Sequence, residues 1–450
     1  MGDRASARRD LAVSIGITGL AVALLLGGVE VVMRMERPFA FSDEPQAFQA
    51  DLGVTYAPGG MVRRTNSQDF WVEQRANSLG FLAPEPRTLE SAAQSCRVAL
   101  IGDSMVDGRE VVPDEKMPTR LAALGASFVQ GRDVAVNAYS FTGTGQLNQL
   151  PFYDRHARSF HPHVVVLVFV RNDFANNSAL LEGIRYGFDP DYPPRPFARR
   201  APDGSMETVP PDGAWRDHVL FAGREQGLVQ RGHLWLTLHS YLYNWVFGRL
   251  VGVAPDLAAH LYGYDQARAN VQRRDALAAR PAYAGTLDGF SGRLGPDASP
   301  FAAFAAVDEP FAWERLPPAF EDAVAYTDYA IGAFAERTRA DGARLVILSA
   351  ENVRMFDPPG DRRFQRMKRA ADAHGVPVID LYDFIQSQGR NPAEASFAGD
   401  MHWNATGHRW AAEAVLSYLH ARPEACGVPV RSAEADQDEA AAWASPSGAR

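Results

Sequence analysis

Two cysteines in 450 residues exclude a disulfide-rich scaffold and any four-cysteine zinc site. Net positive charge is missing as well. Fifty-four acidic side chains against 45 Lys and Arg leave a formal charge of −9, the wrong sign for a general nucleic-acid binder that must neutralise phosphates. Long apolar runs are scarce: one run near the start is of membrane-spanning length, which excludes a multi-pass transporter. Hydrophobic residues are not lacking, at 46%, so wholesale disorder is excluded. What remains is a mildly acidic globular chain, long enough for two or three domains or for one domain with a large insertion.

The apolar run begins at Leu11. From there to Val29 no residue is charged, and as a helix this stretch covers about 28 Å at roughly 1.5 Å per residue, close to a hydrocarbon layer's thickness. Arg4, Arg8 and Arg9 precede it, so the positive-inside rule places residues 1–10 in the cytoplasm and everything after Arg34 outside. A transmembrane anchor over 11–33 is therefore expected. A cleaved signal peptide is the rival reading, but the run is long for one and no small-x-small site follows between Gly28 and Arg37. Residues 38–95 read as a polar, irregular extension and linker with strand-like pieces such as Phe70-Trp71-Val72, and 431–450 as a flexible tail.

From Cys96 the texture changes. Arg97–Ile101, Val134–Val136, His163–Val170, Arg344–Leu348 and Val376–Leu381 are short apolar runs with the profile of buried parallel strands. Helical patterns lie between several of them, at Met117–Leu124, Phe320–Arg339 and Arg362–His374. Strands alternating with helices predict a doubly wound α/β fold over 96–425. The stretch from about 176 to 318 is too long for a crossover and reads as an insertion, with a helix at Trp235–Leu250 and loops at Pro281–Pro300. Ligands in such sheets bind beyond the carboxyl ends of the strands, so those ends are where chemistry is expected.

Each end carries a candidate. The first strand runs into Gly102-Asp103-Ser104, where a serine hydroxyl can point into the crevice above the sheet. The second leads to Phe141-Thr142-Gly143-Thr144-Gly145, whose backbone N–H groups can approach a ligand; a dinucleotide fingerprint fails because position 148 is Asn. The third ends in Arg171-Asn172-Asp173, offering the Asn172 amide as a donor. After the fifth comes Gly399-Asp400-Met401-His402, just ahead of a helix. Asp400 can accept the Nδ1–H of His402 and leave Nε2 free as a base. His408, inside that helix, reads as structural, and neither the His402/His408 spacing nor His161-Pro162-His163 makes a metal site. Together Ser104, His402 and Asp400 supply nucleophile, base and orienting acid. The Ser104 and Gly143 N–H groups and the Asn172 amide supply oxyanion donors.

In these four blocks the sequence resembles the SGNH hydrolase family of GDSL-type esterases, with Ser104, Gly143, Asn172 and His402 as the four named residues. The resemblance covers about 96–177 and 320–420, and 77–81 (Asn-Ser-Leu-Gly-Phe) is similar to a segment found ahead of the serine block in anchored bacterial members. It implies a flavodoxin-like three-layer α/β/α sandwich with a mostly parallel five-stranded sheet. It also implies a serine esterase that works through an acyl-enzyme and needs no metal or organic cofactor. Three departures stand out. Gly399 occupies the position where many members carry the aspartate, leaving Asp400 at minus two from the histidine. The glycine pair is shifted by about one residue, which keeps Gly145 as an alternative to Gly143. Arg171 replaces a glycine and is expected, with Gly145 and Asp173, to contact substrate.

The partner expected is an ester-bearing small molecule or an O-acylated glycan of the envelope, met by a periplasmic domain on the inner membrane. Water as acceptor makes an esterase and a sugar hydroxyl an O-acyltransferase; an anchored carbohydrate-binding scaffold without turnover is the alternative of a different class. Cys96, at the start of the first strand, and Cys426, after a helix running back from the catalytic end, are both expected at the bottom of the domain. A bond between them is chemically permitted in an oxidising compartment.

Overall fold

A computed structural model describes residues 2–36, 41–66, 68–128, 132–186, 188–215, 228–254, 307–350 and 361–427. Helix α1 (Gly2–Glu36) opens the chain. Its segment Leu11–Glu36 is long and apolar enough to cross a membrane, as an anchor or as a signal sequence, and its most apolar stretch is not buried among the described residues. Next come β1 (Phe41–Asp43), β2 (Gln46–Gln49), β3 (Gly53–Tyr56), β4 (Met61–Thr65) and β5 (Trp71–Arg75). They pair antiparallel as two small sheets, β1-β4-β5 and β2-β3. The extension read as polar and irregular thus carries five short strands among its described residues, β5 overlapping the strand-like Phe70-Trp71-Val72; none is longer than five residues.

The central sheet starts at β6 (Cys96–Gly102), followed by α2 (Ser104–Asp107), α3 (Met117–Leu124), β7 (Val134–Ser140), α4 (Gln146–Phe152) and β8 (Val164–Phe169). Then come α5 (Asp173–Asn176) and α6 (Ala179–Tyr186), the β9 (Phe197–Arg200)–β10 (Met206–Val209) hairpin, α7 (Leu228–His239) and α8 (Tyr241–Val253). The second half of the core is α9 (Pro318–Ala340), β11 (Arg344–Ser349), α10 (Arg362–Ala373), β12 (Val378–Asp380), α11 (Leu381–Ser387) and α12 (Ala405–Ala421). The sheet order is β12-β11-β8-β6-β7, all parallel, the flavodoxin-like arrangement. The loops expected at 281–300 and the tail expected at 431–450 lie outside the described residues.

Strand β8 shows why the runs are continuous rather than alternating. Val164, Val166 and Val168 face one layer, with Trp410, Ala411, Val415 and Leu419 of α12. Val165, Leu167 and Phe169 face the other, with Phe320, Ile331 and Phe334 of α9. All six are fully buried, and each such side chain contributes about 1.5–3 kcal/mol relative to exposure. The single helix expected over Trp235–Leu250 is two helices. Ser240 leaves helical geometry and accepts from the Tyr243 N–H, capping α8 and breaking the run. At the bottom of the domain Cys96 and Cys426 are joined by a disulfide across 330 residues of sequence.

Candidate active site

The crevice opens where the order reverses, between the carboxyl ends of β6 and β8. Gly102 closes β6 because a Cβ there would lie 2.6 Å from Val106 Cγ2 and 3.1 Å from Val168 Cβ. Asp103 then caps α2, its carboxylate accepting from the Met105 N–H at 3.0 Å, and Ser104 becomes the first helical residue. The second Asp103 oxygen lies 3.3 Å from Ser104 Oγ and 3.4 Å from Asn172 Nδ2. Asp103 therefore holds the β6 and β8 ends together at one point. Burial pushes its carboxyl above the ordinary value.

His402 arrives from the far end of the chain. Ser396 and Trp403 form an isolated antiparallel bridge, Trp403 is fully buried, and Asn404 caps α12 by accepting from Thr406 and Gly407. The loop between is thus pinned at both ends. In it Asp400 accepts from the His402 backbone N–H at 2.9 Å and pairs with His402 Nδ1 at 2.5 Å. His402 Nε2 lies 3.0 Å from Ser104 Oγ. The hydroxyl, imidazole and carboxylate are therefore bonded in series. Burial alone would raise the Asp400 carboxyl, but its bonds to His402 and the charges of His402 and Arg64 outweigh that and hold it well below the carboxylate range. Burial would lower the imidazole, yet Glu110 and then Asp400 leave His402 above its ordinary value.

Glu110 and the N-terminal sheets escaped the sequence reading. Glu110 is fully buried, with Oε1 3.5 Å from His402 Nδ1, 3.1 Å from Arg64 Nε and 3.9 Å from Arg109 Nε. Arg64 also stands 3.7 Å from Asp400, while Arg109 pairs with Glu44 at 2.5 Å. On the same side Asp69 accepts from the Gly399 N–H at 2.8 Å, and the Phe70 and Phe397 rings lie 5.1 Å apart. The N-terminal extension is therefore a brace for the histidine loop. No local signal reveals Arg64 or Asp69; an acid six residues after Ser104 was the one clue to Glu110. Glu110, Asp400 and His402 place donor atoms within 4.8 Å of one another, a spacing a metal ion could use. Arg64 and Arg109 already supply the positive charge against these carboxylates, so the cluster fits orientation of an imidazole better than a cation.

Gly143 adopts φ +64°, and a Cβ there would meet Tyr186 Oη at 2.9 Å. Its carbonyl accepts from Arg195 of the insertion at 2.5 Å. Gly145 differs: its N–H donates to Asn148 Oδ1 at 3.0 Å and a Cβ would meet Asn177 Oδ1 at 2.5 Å. The Gly145 N–H is thereby engaged within its own loop. Arg171 is partly exposed at the rim and reaches Met401 Sδ at 3.4 Å, bridging the β8 end to the histidine loop. Asp173 corrects an expectation. It is fully buried and accepts from the Val170 N–H at 3.0 Å and Gln146 Nε2 at 2.5 Å, so it fixes the turn after β8 instead of facing substrate. His408 is buried behind the site, its Nδ1 accepting from the Met117 N–H at 3.2 Å.

Fold and site define a doubly wound α/β protein with a serine–imidazole–carboxylate chain at its topological switch point. Residues 335–446 match the family model described as SGNH hydrolase-like domain, acetyltransferase AlgX. That stretch, about a quarter of the chain, is what is similar to the SGNH hydrolase-like domain. No match was found among curated proteins. Among solved structures it is similar to a lipase/acylhydrolase from Enterococcus faecalis (12% identity, 72% of this chain and 96% of that one, TM-score 0.32). It is also similar to Axe2, an acetylxylan esterase from Geobacillus stearothermophilus (11% identity, 76% and 99%, TM-score 0.32).

Proposed function

We propose that this protein transfers acyl groups by covalent catalysis on Ser104, acting on O-acyl groups of envelope carbohydrate. The observation that carries the reading is the series of bonds from Ser104 Oγ to His402 Nε2 at 3.0 Å and from His402 Nδ1 to Asp400 at 2.5 Å. The family model's description as an acetyltransferase supports a small acyl group.

In this reading Ser104 Oγ bonds to the ester carbonyl carbon as its proton passes to His402 Nε2. The carbonyl electron pair moves onto oxygen, which accepts from the Ser104 and Gly143 N–H groups and from Asn172 Nδ2. The intermediate collapses when the C–O bond to the alcohol breaks, and the imidazolium returns its proton to that alcohol. A second hydroxyl then repeats the sequence on the acyl-serine and regenerates Ser104. Asp400 keeps Nδ1 protonated and the ring oriented throughout. With water as second hydroxyl the net reaction is ester hydrolysis; with a sugar hydroxyl it is O-acyl transfer. Arg171, at the rim, would contact an anionic substrate.

Short-chain aryl esters test this, with release of the aryl alcohol measured with and without glycan acceptors. Turnover that depends on Ser104 is expected. Acyl appearing on the glycan marks a transferase and free acid alone an esterase; no turnover by folded protein with any acyl length would favour the non-catalytic scaffold.

A further inference from the structure

Beside the end of α1 stands a helical pair with a surface that the described chain leaves uncovered. On α7 and α8, Leu228 is 87% exposed, Val253 83% and Trp235 59%, and Val229, Trp245 and Val246 are also exposed. An apolar surface of this kind on a soluble face is a partner site or an aggregation hazard. Its charge is distinctive. Residues 228–253 contain no Asp or Glu, yet carry Arg231 and Arg249, in a chain whose formal charge is −9.

The pair is tied to α1 at one level. Glu30 accepts from Ser240 Oγ at 2.9 Å, from the Tyr241 N–H at 3.0 Å and from the Leu242 N–H at 2.9 Å. Arg34 donates to the His239 carbonyl at 2.5 Å and lies 5.0 Å from the Tyr241 ring centre. Glu30 is the first charged residue after the uncharged run that starts at Leu11. That is the depth at which a bilayer's hydrocarbon gives way to its polar interface.

We propose that α7 and α8 lie in the interface of the bilayer that α1 enters, with Trp235, Trp245, Val246, Leu228 and Val253 as lipid contacts. Three features select lipid over a protein partner: the tether to a membrane-length helix at interfacial depth, the tryptophans and tyrosines, and the absence of acid against anionic headgroups. The placement bears on the crevice. Tyr241 stacks on Trp71 at 5.1 Å, and the neighbouring Phe70 packs 5.1 Å from Phe397 in the loop that holds His402. The crevice is thus linked to the membrane-seated pair by two ring contacts joined through the Phe70–Trp71 backbone, and its rim works close to the bilayer surface.

The test uses the full chain reconstituted in phosphatidylcholine–phosphatidylglycerol vesicles, with tryptophan emission measured against the same vesicles brominated on their acyl chains. Bromolipid should quench part of the emission of the wild type, and W235F/W245F should lose most of that quenched part. The two single replacements are measured as well, so the assignment survives failure of the double variant to fold. Absence of quenching in the wild type, as when a protein partner or a second copy occupies the surface, overturns the proposal. So does quenching that persists undiminished in the folded variants. Neither result depends on turnover at Ser104.

Discussion

Replacing Glu110 by Gln removes one of two carboxylates at the same imidazole while keeping shape and burial. Unit charges 3.5 Å apart interact by about 5 kcal/mol at an effective dielectric near 20. Arg64 at 3.1 Å and Arg109 at 3.9 Å from Glu110 keep their charges in E110Q, so the variant removes only the Glu110 charge from the surroundings of the imidazole. The sign follows from chemistry. Glu110 raises the His402 pKa, and the base must be neutral, so wild-type activity falls as pH drops through a raised value. In E110Q the acid limb of kcat/KM should move to lower pH. The plateau should fall modestly, because the base is weaker. Glu44 remains beside both arginines, which limits the loss of stability. The assay is the pH dependence of aryl-ester turnover, with folding followed by thermal denaturation. A purely structural Glu110 would lower stability and leave the limb in place. An unmoved limb, or one displaced upward, in a folded variant refutes the electrostatic role.

Two further outcomes follow. Asn172→Ala should lower kcat by roughly 10²- to 10³-fold with little change in KM, as for loss of an oxyanion donor; equal losses in binding and turnover would place Asn172 outside that role. Replacing Cys96 and Cys426 by Ser should cost roughly 2–5 kcal/mol in denaturant unfolding, with no change in the pH profile of the remaining folded enzyme, because the bond lies at the end of the sheet away from Ser104.

Most of the sheet was legible because buried parallel strands must be apolar on both faces. Val164–Phe169 is the plainest case, and the short β12 was found through Val376-Pro377-Val378-Ile379. Candidate site residues could be named because a doubly wound sheet delivers ligands to strand ends, so a few positions after Gly102, Ser140 and Phe169 deserved scrutiny. What stayed hidden was long-range or directional. Arg64 and Asp69 reach the histidine loop from more than 300 residues away in sequence, and nothing in Arg63-Arg64 or Asp69-Phe70 declares a target. Asp173 follows Asn172 directly, yet one step along a starting helix turns its side chain into the protein. The break at Ser240 was concealed because apolar periodicity runs through it on both sides; a serine that can cap was the sole sign.

The most direct test of covalent catalysis is intact-mass measurement after exposure to a fluorophosphonate probe. Wild-type protein should gain one probe mass on the peptide containing Ser104, faster at neutral than at acidic pH, and Ser104→Ala should gain none. Labelling that persists in Ser104→Ala, or a folded wild type that takes up no probe, would contradict the assignment of Ser104 as nucleophile.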